Sequence, residues 1–230
     1  MMEEKSFSIE SNNVPENKES KEKPLEIKEA ELEDVFGIMS ILKENLLPRE
    51  LLDKEKRDIY LRSVDKKIED FSAKGFLVKP FSEEELENII LDKENHLTLI
   101  ARKDDSIVGY AMTYDLENWR KSNPDWEKRV ELINKEKSWL LEKGKVLYFR
   151  HVAVKKFPEN KGIGARLEYK VFFEAKQKGY KEIIGEALEY PIENKASLDF
   201  HKKIGFEKIG TIKESDNKLI WGLYKKDLEN

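Results

Sequence analysis

The chain contains no cysteine. Disulfides, thiolate metal sites and a cysteine nucleophile are therefore excluded outright. No apolar run approaches the ~18 residues that a membrane-spanning helix needs, and the first residues carry no apolar signal-peptide core. These two absences predict a soluble cytoplasmic protein with no membrane partner. Only three histidines occur, His96, His151 and His201. They stand far apart and no H-E-x-x-H joins them, so no metal site is expected. A basic block is missing too: lysines and glutamates alternate, and the net charge is −4. That balance disfavours a nucleic-acid partner. Both common phosphate signatures are absent, G-x-x-x-x-G-K-[ST] and G-x-G-x-x-G behind a strand.

What is there suits one domain with insertions, or one domain and a tail, over 230 residues. Residues 1–23 are mostly Ser, Asn, Glu and Lys, which predicts a disordered tail. The folded domain is expected over 24–230.

The stretch 145–206 organises that domain. KVLYFRHVAV (145–154) is apolar and rich in β-branched and aromatic residues, and reads as a buried strand. KKFPENKGIGARL (155–167) turns at Pro158, Asn160, Gly162 and Gly164 and then becomes helical. Ile163, Leu167, Val171 and Ala175 recur at helical spacing, and Gly179 stops the run. In IENKASLDFHKKIGF (192–206), Asn194 reads as an N-cap, Ala196, Phe200 and Ile204 as an apolar row, and Gly205 as a left-handed stop. The first turn of a helix presents N–H groups without partners at the positive end of the helix dipole. A phosphate fits there, and glycines let it approach the backbone. Taken alone, Gly162-x-Gly164 fits a plain strand–helix turn equally well.

The three pieces together resemble the GNAT N-acetyltransferase superfamily. That family carries a V-x-V strand, a [QR]-x-x-G-x-[GA] loop and an N-x-x-[AS]-x-x-x-[YH]-x-x-x-G-F helix, here Val152-Ala153-Val154, Glu159 to Gly164, and Asn194 to Phe206. The resemblance covers the second half well, and LEIKEAELEDVFGIMSIL (25–42) looks like the family's first strand and helix. It implies an α/β fold with a mixed, mostly antiparallel sheet flanked by helices on both faces. Acetyl-CoA would be the co-substrate. Val152 and Val154 would offer backbone groups to its pantetheine arm, beside Ala153. Asn160, Lys161, Gly162, Ile163, Gly164 and Ala165 would surround the pyrophosphate. Asn194 would hydrogen-bond the arm, and Ser197 would look into the cofactor cleft. Glu159 departs from the family's Gln or Arg, and Asn160 stands where Gly is frequent. A carboxylate beside a pyrophosphate is unfavourable unless it points outward, and Lys155, Lys156, Lys161 and Arg166 can offset it. Asn tolerates a left-handed conformation, so the turn can survive.

Taken in order, 25–27 starts the domain as a short strand, and a helix follows with Leu32, Val35, Ile38, Met39 and Leu42 on one face. Residues 49–74 read as one amphipathic helix through Ile59, Leu61, Val64, Ile68 and Phe71. Phe76–Val78 is a short strand or an extended link. Ser82 and Glu85 form a capping box before a helix with Leu86, Ile89 and Ile90 inward. Residues 96–102 and 107–114 are two strands of a hairpin turning at 103–106. The insertion 115–144, with Trp119, Trp126 and Trp139, is either a substrate lid or a helix covering a sheet edge. Residues 182–188 form a strand beside 145–154, and 209–213 and 218–224 close the sheet across Asp216-Asn217.

Acetyl transfer to an amine poses two proton problems. An amine with a pKa of about 10.4 costs roughly 4–5 kcal/mol to neutralise at pH 7, so a base or water chain must take its proton. The departing thiolate gains from a nearby acid. The family places Tyr there; His201 occupies that register here. It would act as imidazolium or through a neutral ring N–H, or it simply packs. Glu186 is the base candidate, a carboxylate on the apolar strand IIGEAL. The alternative is an ion pair with Arg150 or His151. Glu189 and Tyr148 are further candidates. The expected function is acetyl-CoA-dependent acetylation of a primary amine, on a small molecule or a protein or peptide, in a ternary complex. The alternative is a catalytically idle module of the same fold that binds acyl-CoA or a partner protein. A homodimer is left open.

Overall fold

Local chemistry sets each element of the chain. The computed structural model describes residues 24–134, 145–214 and 219–228. The tail expected over 1–23, Trp139 and the Asp216-Asn217 turn lie outside the described residues. Strand β1 (Glu26–Glu29) leads to helix α1 (Val35–Asn45), whose Val35, Ile38, Met39, Ile41 and Leu42 are buried. The single helix expected over 49–74 is two: α2 (Lys54–Ser63) and α3 (Ile68–Lys74). Asp53 caps α2 by accepting from the Glu55 and Lys56 amides, and the chain breaks at Asp65, which takes φ +49°. Ile59, expected inward, is exposed. Leu77 makes a single bridge to Leu46. Helix α4 (Glu83–Leu91) starts on Ser82, whose hydroxyl accepts from the Glu85 amide at 3.0 Å.

Strands β2 (His96–Lys103) and β3 (Ser106–Asp115) form the expected hairpin. Asp104 and Asp105 take φ +48° and +65°, the pair of left-handed residues that a two-residue I′ turn requires. The insertion supplies α5 (Leu116–Ser122) and a short strand β4 (Val130–Leu132) before leaving the described residues. Then come β5 (Val146–Val154), α6 (Ile163–Gln177), β6 (Glu182–Tyr190), α7 (Lys195–Lys203), β7 (Glu207–Glu214) and β8 (Leu219–Asp227). Gly162, Gly179 and Gly205 all take positive φ at helix ends.

The eight strands form one sheet in the order β1-β2-β3-β5-β6-β8-β7-β4. Every pairing is antiparallel except β5 with β6. Two apolar clusters lie on its two faces. One packs α6 and α7 through Leu167, Val171, Phe172 and Ile204 onto Leu99, Ala111, Phe149 and Ile183. The other packs α1, α4 and α5 onto Ile100, Tyr110, Met112, Tyr148 and Ile184. We call these the α6 face and the α1 face. Among the described residues no helix is long and apolar enough to cross a membrane.

Two irregularities shape the centre. The β5–β6 ladder runs only from Val146↔Glu182 to Phe149↔Gly185, although both strands continue. Beyond that point they part. And the β3–β5 register steps from Thr113↔Phe149 to Met112↔His151, so Arg150 is an extra, bulged residue at the parting.

Candidate active site

The parted strands open into a cavity of about 730 Å³. Its walls include β5 from Tyr148 to Val154, β6 at Glu186, Ala187 and Leu188, and α7 at Ala196, Ser197, Phe200 and His201. At its mouth lie Asn160, Lys161, Gly162, Gly164 and Ala165. Among the described residues the edge of β5 beyond Phe149 has no strand partner on this side, and only the Asn45 amide reaches it, donating to the Val154 carbonyl at 3.3 Å, so backbone groups near Val152 and Val154 can meet an extended ligand.

The turn is built for close approach. Gly162 takes φ +89° as the N-cap of α6, with no side chain capping the helix. A Cβ there would meet nothing within 4 Å, and one on Gly164 would meet only Val154, at 3.8 Å. The space beside Gly162 and Gly164, at the positive end of a 15-residue helix whose first amides have no side-chain cap, is therefore open to a ligand. Asn160 does not take the left-handed conformation that its residue type allows; it is buried, and its amide donates to the Lys155 carbonyl at 3.1 Å. It thereby ties the turn to the end of β5. Glu159 is exposed and does not line the cavity. Lys74, Lys155, Lys156, Lys161 and Lys203 do, against two acidic side chains, Glu168 and Glu186. A chain of net charge −4 thus presents a cationic rim here.

α7 forms the floor on the α6 face. Asn194 is buried, accepts from the Ser197 amide at 3.3 Å and donates to the Phe76 carbonyl at 2.9 Å. Its side chain holds the wall together and ties it to the segment after α3. His201 is buried as well. Its ring stacks on Tyr224 at 5.5 Å and meets Phe206 edge-on at 5.0 Å. Its Nε2 lies 3.3 Å from where a Cβ on Gly185 would stand, so that glycine makes the room for it. Nδ1 is 2.7 Å from the Ser197 carbonyl, which makes Nδ1 the protonated nitrogen and leaves Nε2 a bare acceptor. Burial pushes the imidazole below its ordinary value, and the Ser197 bond only partly opposes this. The imidazolium expected from the sequence is therefore disfavoured, and the neutral donor is already engaged. His201 packs the wall.

Glu186 follows Gly185 and so points to the opposite, α1 face. Neither Arg150 nor His151 pairs with it. It accepts from the Trp126 indole at 2.8 Å, and it neighbours Tyr148, whose phenol is pushed well up by burial and then by this carboxylate. Trp119 stacks on Tyr148 at 4.7 Å between ring centres. This half of the cavity is an aromatic pocket ending in one carboxylate. His151 lines it too, packed on Phe81, with its ring held neutral: burial and then Arg150 push it down to about 3. Glu189 accepts from Tyr224 at 2.8 Å and pairs with Lys208 at 2.7 Å, outside the cavity. Among the described residues no group of three or more His, Asp or Glu could hold a metal ion.

Residues 61–206 match the sequence pattern of the Acetyltransferase (GNAT) family. The chain belongs to that family. Its fold agrees with solved GNAT-fold structures. An N-acetyltransferase, PaiA, of Thermoplasma acidophilum in complex with coenzyme A is 16% identical, with a TM-score of 0.53, covering 89% of this chain and 99% of that one. An N-acetyltransferase of Staphylococcus aureus Mu50 is 18% identical, with a TM-score of 0.51, covering 90% and 100%. The ribosomal-protein-S18-alanine N-acetyltransferase of Escherichia coli is 12% identical, with a TM-score of 0.53, covering 90% and 96%. No curated protein matches the sequence significantly.

The structure brings Val152, Ala153, Val154, Asn160, Lys161, Gly162, Gly164, Ala165, Asn194, Ser197 and His201 to one cavity with Glu186, whereas the side chain of Ile163 is buried in the core on the α6 face. The insertion expected either as a substrate lid or as a helix covering a sheet edge lends Trp119 to the cavity and Trp126 to Glu186. Sequence reasoning gave neither tryptophan an individual role, and it missed Glu168 and the place of Arg150 in the cavity. Arg150 is exposed as special by a bulge that leaves no sequence signal.

Proposed function

We propose that the protein is an acetyl-CoA-dependent N-acetyltransferase that acts on a primary amine by direct attack in a ternary complex. The observation that carries this reading is the gap between β5 and β6, with an uncapped helix N-terminus and a lysine rim at its mouth. Acetyl-CoA supplies a thioester, which an amine can attack. Its diphosphate suits the Ile163–Ala165 amides and Lys161, and its arm suits the free edge at Val152–Val154. The thioester would then lie at the parting, between Phe149 and Gly185.

The acceptor amine enters from the α1 face, past Trp119 and Tyr148. Glu186 takes one proton from the ammonium. The nitrogen bonds to the acyl carbon, the carbon–sulfur bond breaks, and the second proton shed by nitrogen neutralises the departing sulfur. Trp126 holds Glu186 in place. His201 and Gly185 shape the floor under the sulfur rather than supply that proton. The absence of cysteine removes the thiol route to an acyl-enzyme.

The test is thiol release from acetyl-CoA over a panel of amines, with the acetylated product weighed by mass spectrometry. Release should depend on the amine, and initial-rate lines should intersect. Acetyl-CoA binding without turnover of any amine would favour an idle module of the same fold. Parallel lines with an acetylated protein would point to a covalent route instead, with Ser197 the suspect.

A further inference from the structure

Arg150 is the residue that the β5 bulge adds, on the face of Tyr148 and His151. Its guanidinium carbon lies 5.1 Å from the centre of the Trp119 ring and 5.5 Å from that of Tyr114. The side chain is only 12% exposed. A guanidinium carries five N–H donors and its charge at every accessible pH. Yet Arg150 donates no hydrogen bond among the described residues, and its Nε is buried without a partner. The nearest carboxylate, Glu85, stands 3.8 Å away and is half in solvent. Two aromatic faces offset part of the desolvation of this cation. Its in-plane donors remain unused. Buried charges are costly unless paired and hydrogen-bonded.

The other cations on this wall are accounted for. Lys79 pairs with Glu214 at 2.5 Å, and His151 is neutral. Arg150 and Glu186 line the same cavity, and Tyr148 feels the charge of both. A planar fork of donors matches a carboxylate, two N–H groups to two oxygens.

We propose that the acceptor is an amino acid-like molecule, an amine that also carries a carboxylate. Arg150 receives the carboxylate while Glu186 receives the ammonium. This rests on the acetyl-transfer reading and narrows it to a substrate class. The cation and the anion of the pocket fix the molecule at both ends, and the aromatic wall of Trp119 and Tyr148 fills the space between.

The test compares straight-chain ω-amino acids with alkylamines of equal length, using acetyl-CoA and the wild-type protein. The amino acid of best-fitting length should exceed its alkylamine in kcat/KM by roughly 10–100-fold, the worth of hydrogen bonds to a charged group. Arg150→Met should collapse that ratio, mainly through KM, while calorimetry still finds acetyl-CoA bound. Arg150→Lys should keep part of it, because an ammonium still attracts the carboxylate. Alkylamines acetylated as well as their amino-acid counterparts would overturn the inference and leave acetyl transfer standing. Were no amine turned over, binding of the same amino acids to the acetyl-CoA-loaded protein is the readout. Binding that Arg150→Met abolishes upholds the carboxylate site while acetyl transfer falls; no binding overturns it.

Discussion

Glu168 lies on α6 with 1% of its surface exposed and neither oxygen hydrogen-bonded among the described residues. Burial alone pushes its carboxyl up to about 8, from an ordinary value of 4.5. The unfolded chain therefore releases this proton above about pH 4.5, and the folded protein holds it until about pH 8. Across that window the unfolded state binds fewer protons, so rising pH erodes stability; beyond it the contribution levels off. Glu168→Leu should remove the erosion and the buried unsatisfied group. At pH 8 we expect a gain of about 1–3 kcal/mol, or roughly 2–10 °C in Tm, that shrinks towards pH 5. A Tm difference that stays flat with pH would mean that Glu168 finds a partner. His201 gives a second prediction at this scale. Removing a general acid costs ~10²–10⁴ in kcat. Because Nδ1 is held by the Ser197 carbonyl and the ring is neutral, His201→Phe should hold kcat within about tenfold. A larger loss in a stably folded variant would return the acid role to His201. Its register was legible in the sequence, and its burial among Phe200, Phe206 and Tyr224 was not. Glu168 was illegible for a related reason: it adjoins the apolar row Ile163, Leu167, Val171 and Ala175, and only the packing decides whether that neighbour is inside.

The turn between β5 and α6 is the element to which the proposed function assigns cofactor binding. Gly164→Val would set a branched side chain before the first amides of α6. Calorimetry should then find acetyl-CoA binding at least ten times weaker, about 1.4 kcal/mol. Unchanged affinity in a folded variant would remove the turn from the site. The insertion's contribution is tested through Trp126, whose indole bond holds Glu186. Trp126→Phe keeps most of the ring and deletes the N–H. Without that donor Glu186 is no longer fixed towards the amine, so kcat should fall by roughly tenfold or more while calorimetry still finds acetyl-CoA bound. An unchanged kcat in a folded variant would mean that Trp126 merely packs. Most elements could be read directly, because caps and periodicity spoke together: Ser82 before α4, Asn194 before α7, Gly205 behind it. The division of 49–74 into α2 and α3 could not. Leu61, Val64, Ile68 and Phe71 keep helical spacing across it, and the break falls on Asp65, with no Gly or Pro to mark it. The insertion was legible as either a substrate lid or a cover for a sheet edge, and the sequence did not choose between them. Its described part does two things at once, adding β4 to the edge at β7 and lending Trp119 to the cavity.

Across the whole molecule, the site exists because one parallel pair in an otherwise antiparallel sheet comes apart halfway. Sequence motifs announced the family and the order of strand, turn and helix. They did not announce the parting, which depends on how β6 is drawn into its antiparallel ladder with β8 while β5 follows β3 through the Arg150 bulge. Such pairing choices are settled by non-local packing, which a single sequence does not display. The separation of roles follows from the same geometry. The first turn of α6 and His201 belong to the α6 face, while Glu186, Trp126 and Arg150 belong to the α1 face, so on the proposed reading donor and acceptor approach through opposite sides of one sheet. A crystal structure of the acetyl-CoA complex tests this most directly. The diphosphate should lie on the Ile163–Ala165 amides, the arm along Val152–Val154, and the thioester between Phe149 and Gly185, within reach of an amine at Glu186. Acetyl-CoA bound elsewhere, or with its thioester on the far side of the sheet from Glu186, would contradict the account.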